Sequence, residues 1–176
     1  MTADKLSVRH YLKIIYRKLF KKKSGFIRRS ARIYHRQNTE IDKTAQIREF
    51  VIIQANRKVK IGKYSQLNPF VVIYGGVTIG DYVMIAPHVM IASGNHNFTQ
   101  MEKPMRFAGS VSKGKVVIED DVWIGANSTI LDGVTVGKGA VIGAGSVVNC
   151  DIEPYSINAG VPIKKIGSRL DYLPDD

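Results

Sequence analysis

An aliphatic residue returns at every sixth position through two long blocks of this chain. Ile61, Leu67, Ile73, Ile79, Ile85 and Ile91 keep step in the first, and Ile118, Ile124, Ile130, Val136, Ile142 and Val148 in the second. Two residues ahead of them runs a column of small or β-branched residues: Val59, Val71, Val77, Val83, Val89, Val116, Val122 and Val134, with Ser65, Ser128, Ala140 and Ser146. Gly follows the aliphatic at Gly62, Gly80, Gly125, Gly137 and Gly143. An α-helix repeats every 3.6 residues and a hairpin sheet every two, so neither produces this pattern; a parallel β-helix does. Each six-residue stretch reads as a short strand and a corner, with the aliphatic side chain inward and the Gly or small residue relieving the crowded bend. The expected class is all-β.

Length and composition narrow the setting. A chain of 176 residues supports one sizeable core and is short for two. Its single cysteine, Cys150, cannot form an internal disulfide, so nothing points to an oxidising compartment. No apolar run approaches the roughly 20 residues that span a bilayer, and charges interrupt the N-terminus too often for a secretory signal. A cytoplasmic domain is the expectation.

Charge is segregated. Residues 1–36 hold twelve Lys and Arg against one acid, Asp4, so the whole formal charge of +11 lies there; residues 37–176 balance to zero. Within that segment Val8, Tyr11, Leu12, Ile15 and Leu19 recur at helical spacing, with Tyr16 and Phe20 beside them, while Lys5, Arg9, Lys13, Arg17 and Lys21 march four apart on another face. This predicts a basic amphipathic helix of about four turns. It suits a cap over the open end of the β-helix, or adsorption to the anionic inner face of a membrane, where each basic residue adds on the order of 1 kcal/mol. Nucleic-acid binding ranks last, because no recognised motif accompanies the charge and the aromatics follow the apolar stripe.

The boundaries follow: residues 1–36 as the helical segment, 37–166 as the β-helix and 167–176 as a tail. Ile41, Ile47 and Ile53 lead in at six-residue spacing, then the step to Ile61 is eight, so two extra residues bulge out around Asn56–Lys58. Between Ile91 and Val116 lie 24 residues without periodicity (92–115), after which the register resumes in full. This segment therefore leaves the coil at a corner and returns to it. Loops beyond about 12–15 residues in a compact domain are usually functional or disordered. Phe98, Met101, Met105 and Phe107 make this one too apolar to idle in solvent, and suit a flap packed on something such as a neighbouring subunit.

Val116–Ile166, with its motifs WIGAN, VIGAGSVV and AGVP, resembles the C-terminal half of the hexapeptide-repeat acyltransferases, most nearly their maltose, galactoside and polysaccharide O-acetyltransferase branch. Asn68–His96 resembles the stretch that carries that branch's catalytic histidine. The likeness spans roughly residues 59–166. It implies a left-handed β-helix, a homotrimer, acetyl-CoA in a groove between subunits and no metal.

The resemblance also assigns roles. His96, opening the loop, matches the catalytic base; a histidine suits that task because the side chain ordinarily titrates near neutral pH. It would deprotonate an acceptor hydroxyl that attacks the thioester directly, while backbone N–H groups hold the oxyanion and no acyl-enzyme forms. Asn68 matches an acceptor-site Asn, though a turn role before Pro69 competes. Trp123 stands where the family has an aromatic wall beside the thioester, or else packs at a trimer interface. Gly125, Ala126, Gly143 and Ala144 match backbone along the pantetheine arm, and also satisfy coil geometry. Lys164 and Lys165 follow the AGVP turn and would meet CoA phosphates. Cys150 departs from the Lys that relatives often carry. His88, at a coil corner after Pro87, reads as structural; His10 and His35, among basic residues, read as serving solubility or anion contact.

The function implied is CoA-dependent acyl transfer, acetyl to a sugar hydroxyl of a surface-polysaccharide or glycolipid precursor. Two readings compete: an amino-sugar N-acetyltransferase, and a non-catalytic trimeric scaffold bound to membrane. A γ-type carbonic anhydrase needs three zinc-binding histidines, and only His88 and His96 lie in the β-helical part.

Overall fold

In a computed structural model that describes residues 26–172, the chain winds into a parallel β-helix of three sheets. The first face stacks Phe26–Ile27, Gln46–Ile47, Gln66–Leu67, Met84–Ile85, Trp123–Ile124, Val141–Ile142 and Ser156–Ala159. The second stacks Arg32–Tyr34, Ile52–Gln54, Val72–Gly75, Met90–Ser93, Thr129–Ile130 and Val147–Val148. The third stacks Thr39–Ile41, Val59–Ile61, Val77–Ile79, Val116–Ile118 and Thr135–Val136. All neighbours within these stacks pair in parallel, in the register that the six-residue period demands: Leu67 opposes Ile85, Ile85 opposes Ile124, and Ile124 opposes Ile142.

The core is the aliphatic ladder. All twelve periodic residues are buried to 1% exposure or less, and the preceding column is buried with them. At about 1.5–3 kcal/mol for each fully buried aliphatic side chain, this ladder is the main favourable term of the fold. The three serines in the column are satisfied by backbone: Ser65 Oγ donates to the Gly80 carbonyl at 2.7 Å and accepts from the Val83 N–H at 3.0 Å, while Ser128 and Ser146 donate to the Gly143 carbonyl.

The glycines after the aliphatics relieve crowding at the corners, as expected, by leaving out the Cβ. They are not the residues that bend. A Cβ at Gly125 would sit 2.5 Å from the Ala144 nitrogen of the next coil, and one at Gly62 would meet Gly80 and Asp81 at 2.3–2.4 Å, so these glycines permit close stacking. The left-handed bend falls two residues later, at Tyr64, Tyr82, Asn127, Gly139 and Gly145 on two of the corners. Positive φ on a residue with a Cβ costs roughly 1–2 kcal/mol. In the earlier coils stacking offsets that cost: Phe50, Phe70 and His88 form one column with centroids 5.1 and 4.8 Å apart, and Tyr64 stacks on Tyr82 at 5.4 Å. His88 is therefore the last ring of a corner ladder, as its structural reading expects.

Both ends of the β-helix differ from the expected boundaries. Phe26–Ile27 and Arg32–Tyr34 already pair with the coil that follows, so the coils begin inside the segment assigned as helical. Ile27 and Ile33 carry the six-residue step there, and the step from Ile33 to Ile41 is eight because a 3-10 turn, Arg36–Asn38, takes up two extra residues. His35 bends this corner with φ 53°, and its side chain is exposed. The predicted helix and its charges at Lys5 to Lys21 lie outside the described residues. At the other end the last coil is short, and Lys164–Ser168 turns back antiparallel on Ser156–Ala159, followed by a 3-10 turn at Arg169–Tyr172. The expected tail is thus partly a closing strand that ends the first sheet.

Candidate functional site

The second face runs on to Ser93, where the chain departs. Gly94 has φ 140° and Gly114 φ 136°, so the loop leaves and returns through residues in conformations that favour glycine. Just beyond the first hinge, Asn95–His96 pairs antiparallel with Ser110–Val111, His96 opposite Ser110. The tip carries a 3-10 turn, Met105–Phe107. Of residues 94–115 only Ala108 is buried, and Phe98, Met101, Met105 and Phe107 are exposed in the single chain. The expected apolar flap is present as a feature of the surface.

His96 stands at the lip of an open cavity of about 650 Å³. Its apolar wall is Tyr74, Met90, Ala92 and Val111; its polar groups come from Asn56, Arg57, Asn95, His96 and Ser110. The His96 backbone N–H donates to Asn95 Oδ1 at 2.8 Å, which fixes the strand at this point while the imidazole remains exposed. Such a cavity can admit a polar ring with an aromatic face beside it and a proton acceptor at its rim.

Arg57 is the residue the sequence did not single out. It sits in the two-residue bulge around Asn56–Lys58. Its guanidinium donates to Ser112 Oγ at 2.9 Å, to Ser93 Oγ at 3.1 Å and to the Ser93 carbonyl, bridging both stems of the loop. From the coil on the other side, Asp132 accepts from Ser112 Oγ at 2.9 Å and from the Lys113 N–H. The only available hint was a bulge carrying Arg opposite a long insertion.

The other expected site residues lie elsewhere on the same chain. Asn68 ends a strand of the first face, and its side chain is engaged: Nδ2 donates to the Ile85 carbonyl at 2.9 Å and Oδ1 accepts from Gln66 at 2.8 Å. The Ile85 carbonyl belongs to the next coil, so the Asn68 side chain ties neighbouring coils together. Trp123 points outward from the first face, half exposed, in line with Met84 and Val141. Gly125, Ala126, Gly143 and Ala144 occupy the corner between the first and second faces in adjacent coils, where the Gly145 N–H reaches the Ala126 carbonyl at 2.8 Å. No side chain larger than a methyl rises from these four positions; Ala144 is exposed, Ala126 and Gly143 are half-buried, and Gly125 is buried against the next coil. Lys164 and Lys165 are exposed on the closing strand. Lys165 Nζ is already paired with Glu153 at 2.7 Å, and that contact, with the positive charge behind it, holds the Glu153 carboxyl below its ordinary range. Lys164 has no ion pair among the described residues.

The single chain therefore does not gather the set. His96 and its cavity stand at the corner between the second and third faces; the small-residue strip and Trp123 lie across the second face from it. Among the described residues there is no group of three or more His, Cys, Asp or Glu placed to hold a metal, and no helix is long and apolar enough to cross a membrane.

Comparison with known proteins adds a second line of observation. The bacterial transferase hexapeptide family (six repeats) matches residues 58–93 and 115–150, the two periodic blocks on either side of the loop. The galactoside O-acetyltransferase of Escherichia coli is 35% identical over 128 residues, covering 72% of this chain and 62% of that protein. A putative lipopolysaccharide biosynthesis O-acetyl transferase of the same organism is 38% identical over 109 residues, covering 57% of this chain and 56% of its own length. The chain thus spans less than two-thirds of these curated relatives. Among solved structures, an N-acyltransferase from Bacillus cereus in complex with dTDP-4-amino-4,6-dideoxyglucose and coenzyme A superimposes with a TM-score of 0.73 at 28% identity, covering 93% of this chain and 90% of that one. A hexapeptide-repeat acetyltransferase from Vibrio cholerae complexed with acetyl coenzyme A gives 0.63 at 27% identity, covering 93% and 79%.

Proposed function

Because the chain belongs to the hexapeptide-repeat transferases, we propose that it moves an acetyl group from acetyl-CoA to a sugar hydroxyl, with His96 as the general base. The observation that carries this reading is His96 itself: an exposed imidazole on a hairpin at the rim of a cavity walled by Tyr74 and Met90. An alcohol is a poor nucleophile until its proton is taken, and a rim histidine supplies the acceptor. The hydroxyl oxygen bonds to the thioester carbonyl carbon as the imidazole takes the proton. The C–S bond then breaks, and the proton passes to the departing CoA sulfur. Backbone N–H groups of the groove hold the developing oxyanion.

The donor would lie along Gly125–Ala126 and Gly143–Ala144, where no bulky side chain stands in the way of an extended pantetheine and Ala144 is exposed to it. Lys164 is the better-placed cation for its phosphates, because Lys165 is committed to Glu153. The second face separates that strip from His96, so we place the complete site between two chains of a homotrimer, with Trp123 facing the neighbour. The acceptor class is a surface-polysaccharide or glycolipid precursor, supported by the E. coli O-acetyltransferase relatives. A membrane-associated acceptor also suits the twelve basic residues of 1–36, which would hold the protein at the anionic inner face of a cell membrane.

N-acyl transfer to an amino sugar is the second reading, favoured by the B. cereus neighbour that covers 93% of this chain. A neutral amine attacks without a strong base, so that reaction leaves His96 less to do. The test is CoA release from acetyl-CoA with paired panels of neutral and amino sugars. A neutral sugar acetylated to an alkali-labile ester supports the O-transfer reading. An alkali-stable amide formed on the amino sugar alone overturns it.

A further inference from the structure

We propose that Arg57 is a positioning residue for His96: together with Asp132 it clamps the two stems of the loop, and thereby fixes where the imidazole stands. The proposal rests on the reading of His96 as the base. Its physical part, the clamp, is separately testable.

The loop has little else to hold it. It enters and leaves through two glycines in left-handed conformations, and inside these hinges it has one two-residue strand pair. Almost nothing in it is buried, so hydrophobic burial does not define its position. What defines it is a chain of polar contacts across three coils. Arg57 comes from two coils before the loop, reaching past the intervening Gly75–Gly76 corner, and one guanidinium nitrogen binds Ser112 on the return stem while the other binds Ser93 on the outgoing stem. Asp132 comes from the coil after it and holds Ser112 and Lys113. The stems are tied directly as well, Ser93 Oγ donating to the Gly114 carbonyl at 3.0 Å. Ser112 thus accepts from a cation and donates to an anion, an arrangement in which both hydrogen bonds are charge-assisted.

Geometry links this clamp to the chemistry. Ser93 is 2% exposed and anchored in the coil, and His96 follows it by three residues. Ser112 is two residues from Ser110, the strand partner of His96. A slip of either stem is carried to the imidazole through a two-residue ladder with no slack. A misplacement of about 1 Å costs on the order of 10²-fold in rate. The fork of a guanidinium is what the arrangement uses, since two nitrogens reach two stems at once and a lysine ammonium is a single point charge. The two-residue bulge carries Arg57 past Gly76 to the loop stems, which gives that break in the six-residue step a purpose.

The experiment compares Arg57→Ala, Arg57→Lys and Ser112→Ala with the unaltered full-length protein. Three readouts are taken: hydrogen exchange over residues 94–115, thermal unfolding, and steady-state transfer with acetyl-CoA. Faster exchange confined to the loop, with kcat down about 10- to 100-fold and the KM for acetyl-CoA unchanged, is the expected result. Arg57→Lys falls between. Ser112→Ala removes the same link from the loop side without opening a hole in the coil, so it decides the matter if Arg57→Ala folds poorly. Unchanged loop exchange in Ser112→Ala and Arg57→Lys overturns the clamp. Loosened exchange with unchanged kcat overturns the positioning role while leaving the acyltransferase reading standing. If the unaltered protein transfers no acyl group to any acceptor, the function fails instead, and exchange still judges the clamp.

Discussion

The coil stack and the loop it extrudes are built on opposite terms. In the stack, each residue of the ladder is buried and meets its equivalents in the coils above and below, so one rule repeated every six positions fixes the backbone. In the loop, one residue of 94–115 is buried, and position depends on four polar side chains, Arg57, Ser93, Ser112 and Asp132, that lie far apart in sequence. A regular solenoid can carry chemistry only where the rule is suspended, and the rigid coils on either side then supply the anchors. Substitutions should separate the two regions: in the stack they act on stability, in the loop on rate.

The largest effect belongs to the stack. Ile124 is fully buried between Ile85 and Ile142. Ile124→Asp puts a carboxyl there with no partner, a cost comparable with the roughly 5–15 kcal/mol that holds a whole domain folded. No folded protein should be recovered in the soluble fraction. A folded Ile124→Asp protein with native circular dichroism would mean that the ladder is not what closes the coils.

Next comes the loop. His96→Ala should lower transfer by roughly 10²–10⁴-fold, the loss expected for a general base, with the melting temperature unmoved because the ring is exposed. A large fall in melting temperature would show that the hairpin supports the stack, and the division between the regions would be wrong. Full activity would remove His96 from the mechanism.

These two residues also mark how far the sequence was legible. Ile124 and its equivalents announce themselves because burial repeats with the coil, and period, class and the extruded loop follow from that alone. Ile27 and Ile33 carried the same signal and were masked by the basic residues around them. Corners were less legible: the sequence shows Gly after five of the twelve aliphatics, yet the left-handed residue comes two positions later and is a tyrosine in two of those coils. Arg57 was legible only as part of a bulge, because its partners lie 36 and 55 residues away and no period relates them. The place of His96 in the chain was visible only through family likeness, since a single loop histidine carries no pattern. Asn68 also matches a family residue by motif, and its side-chain bonds to Gln66 and to the Ile85 carbonyl of the next coil carry no signal in the sequence.

His88 tests the boundary between the regions from the other side. It is a histidine in the coil and shares its residue type with the proposed base, but it ends the Phe50–Phe70 ladder with its ring 4.8 Å from Phe70. His88→Ala forfeits about 0.5–1.5 kcal/mol of ring stacking, and a Cβ remains in the left-handed conformation. Melting temperature should fall by a few degrees with kcat unchanged. His88→Gly relieves the backbone strain as well, so it should be the more stable of the two. A loss of kcat in both variants, at full folded content, would move the base from the loop to the corner.

The smallest effect lies where the stack ends. Glu153 and Lys165 pair across the closing strand, both exposed, and the hydrogen bond from Lys165, followed by its charge, holds the Glu153 carboxyl below the ordinary glutamate range. The sign follows from that direction. A carboxyl depressed in the folded state contributes stability above its unfolded value, about 4.3, and that contribution is lost as pH falls through the lower folded value. Glu153→Gln should therefore melt slightly below the unaltered protein at neutral pH, and the gap should close on acidification below about pH 4. Salt should narrow the gap at neutral pH too, because an exposed pair is screened. In the proposed trimer the same substitution frees Lys165 for CoA phosphates, so the KM for acetyl-CoA should fall or hold while stability drops. A rise in KM would show that the ion pair orients the closing strand for the donor, and would join this end of the stack to the site instead of to the scaffold.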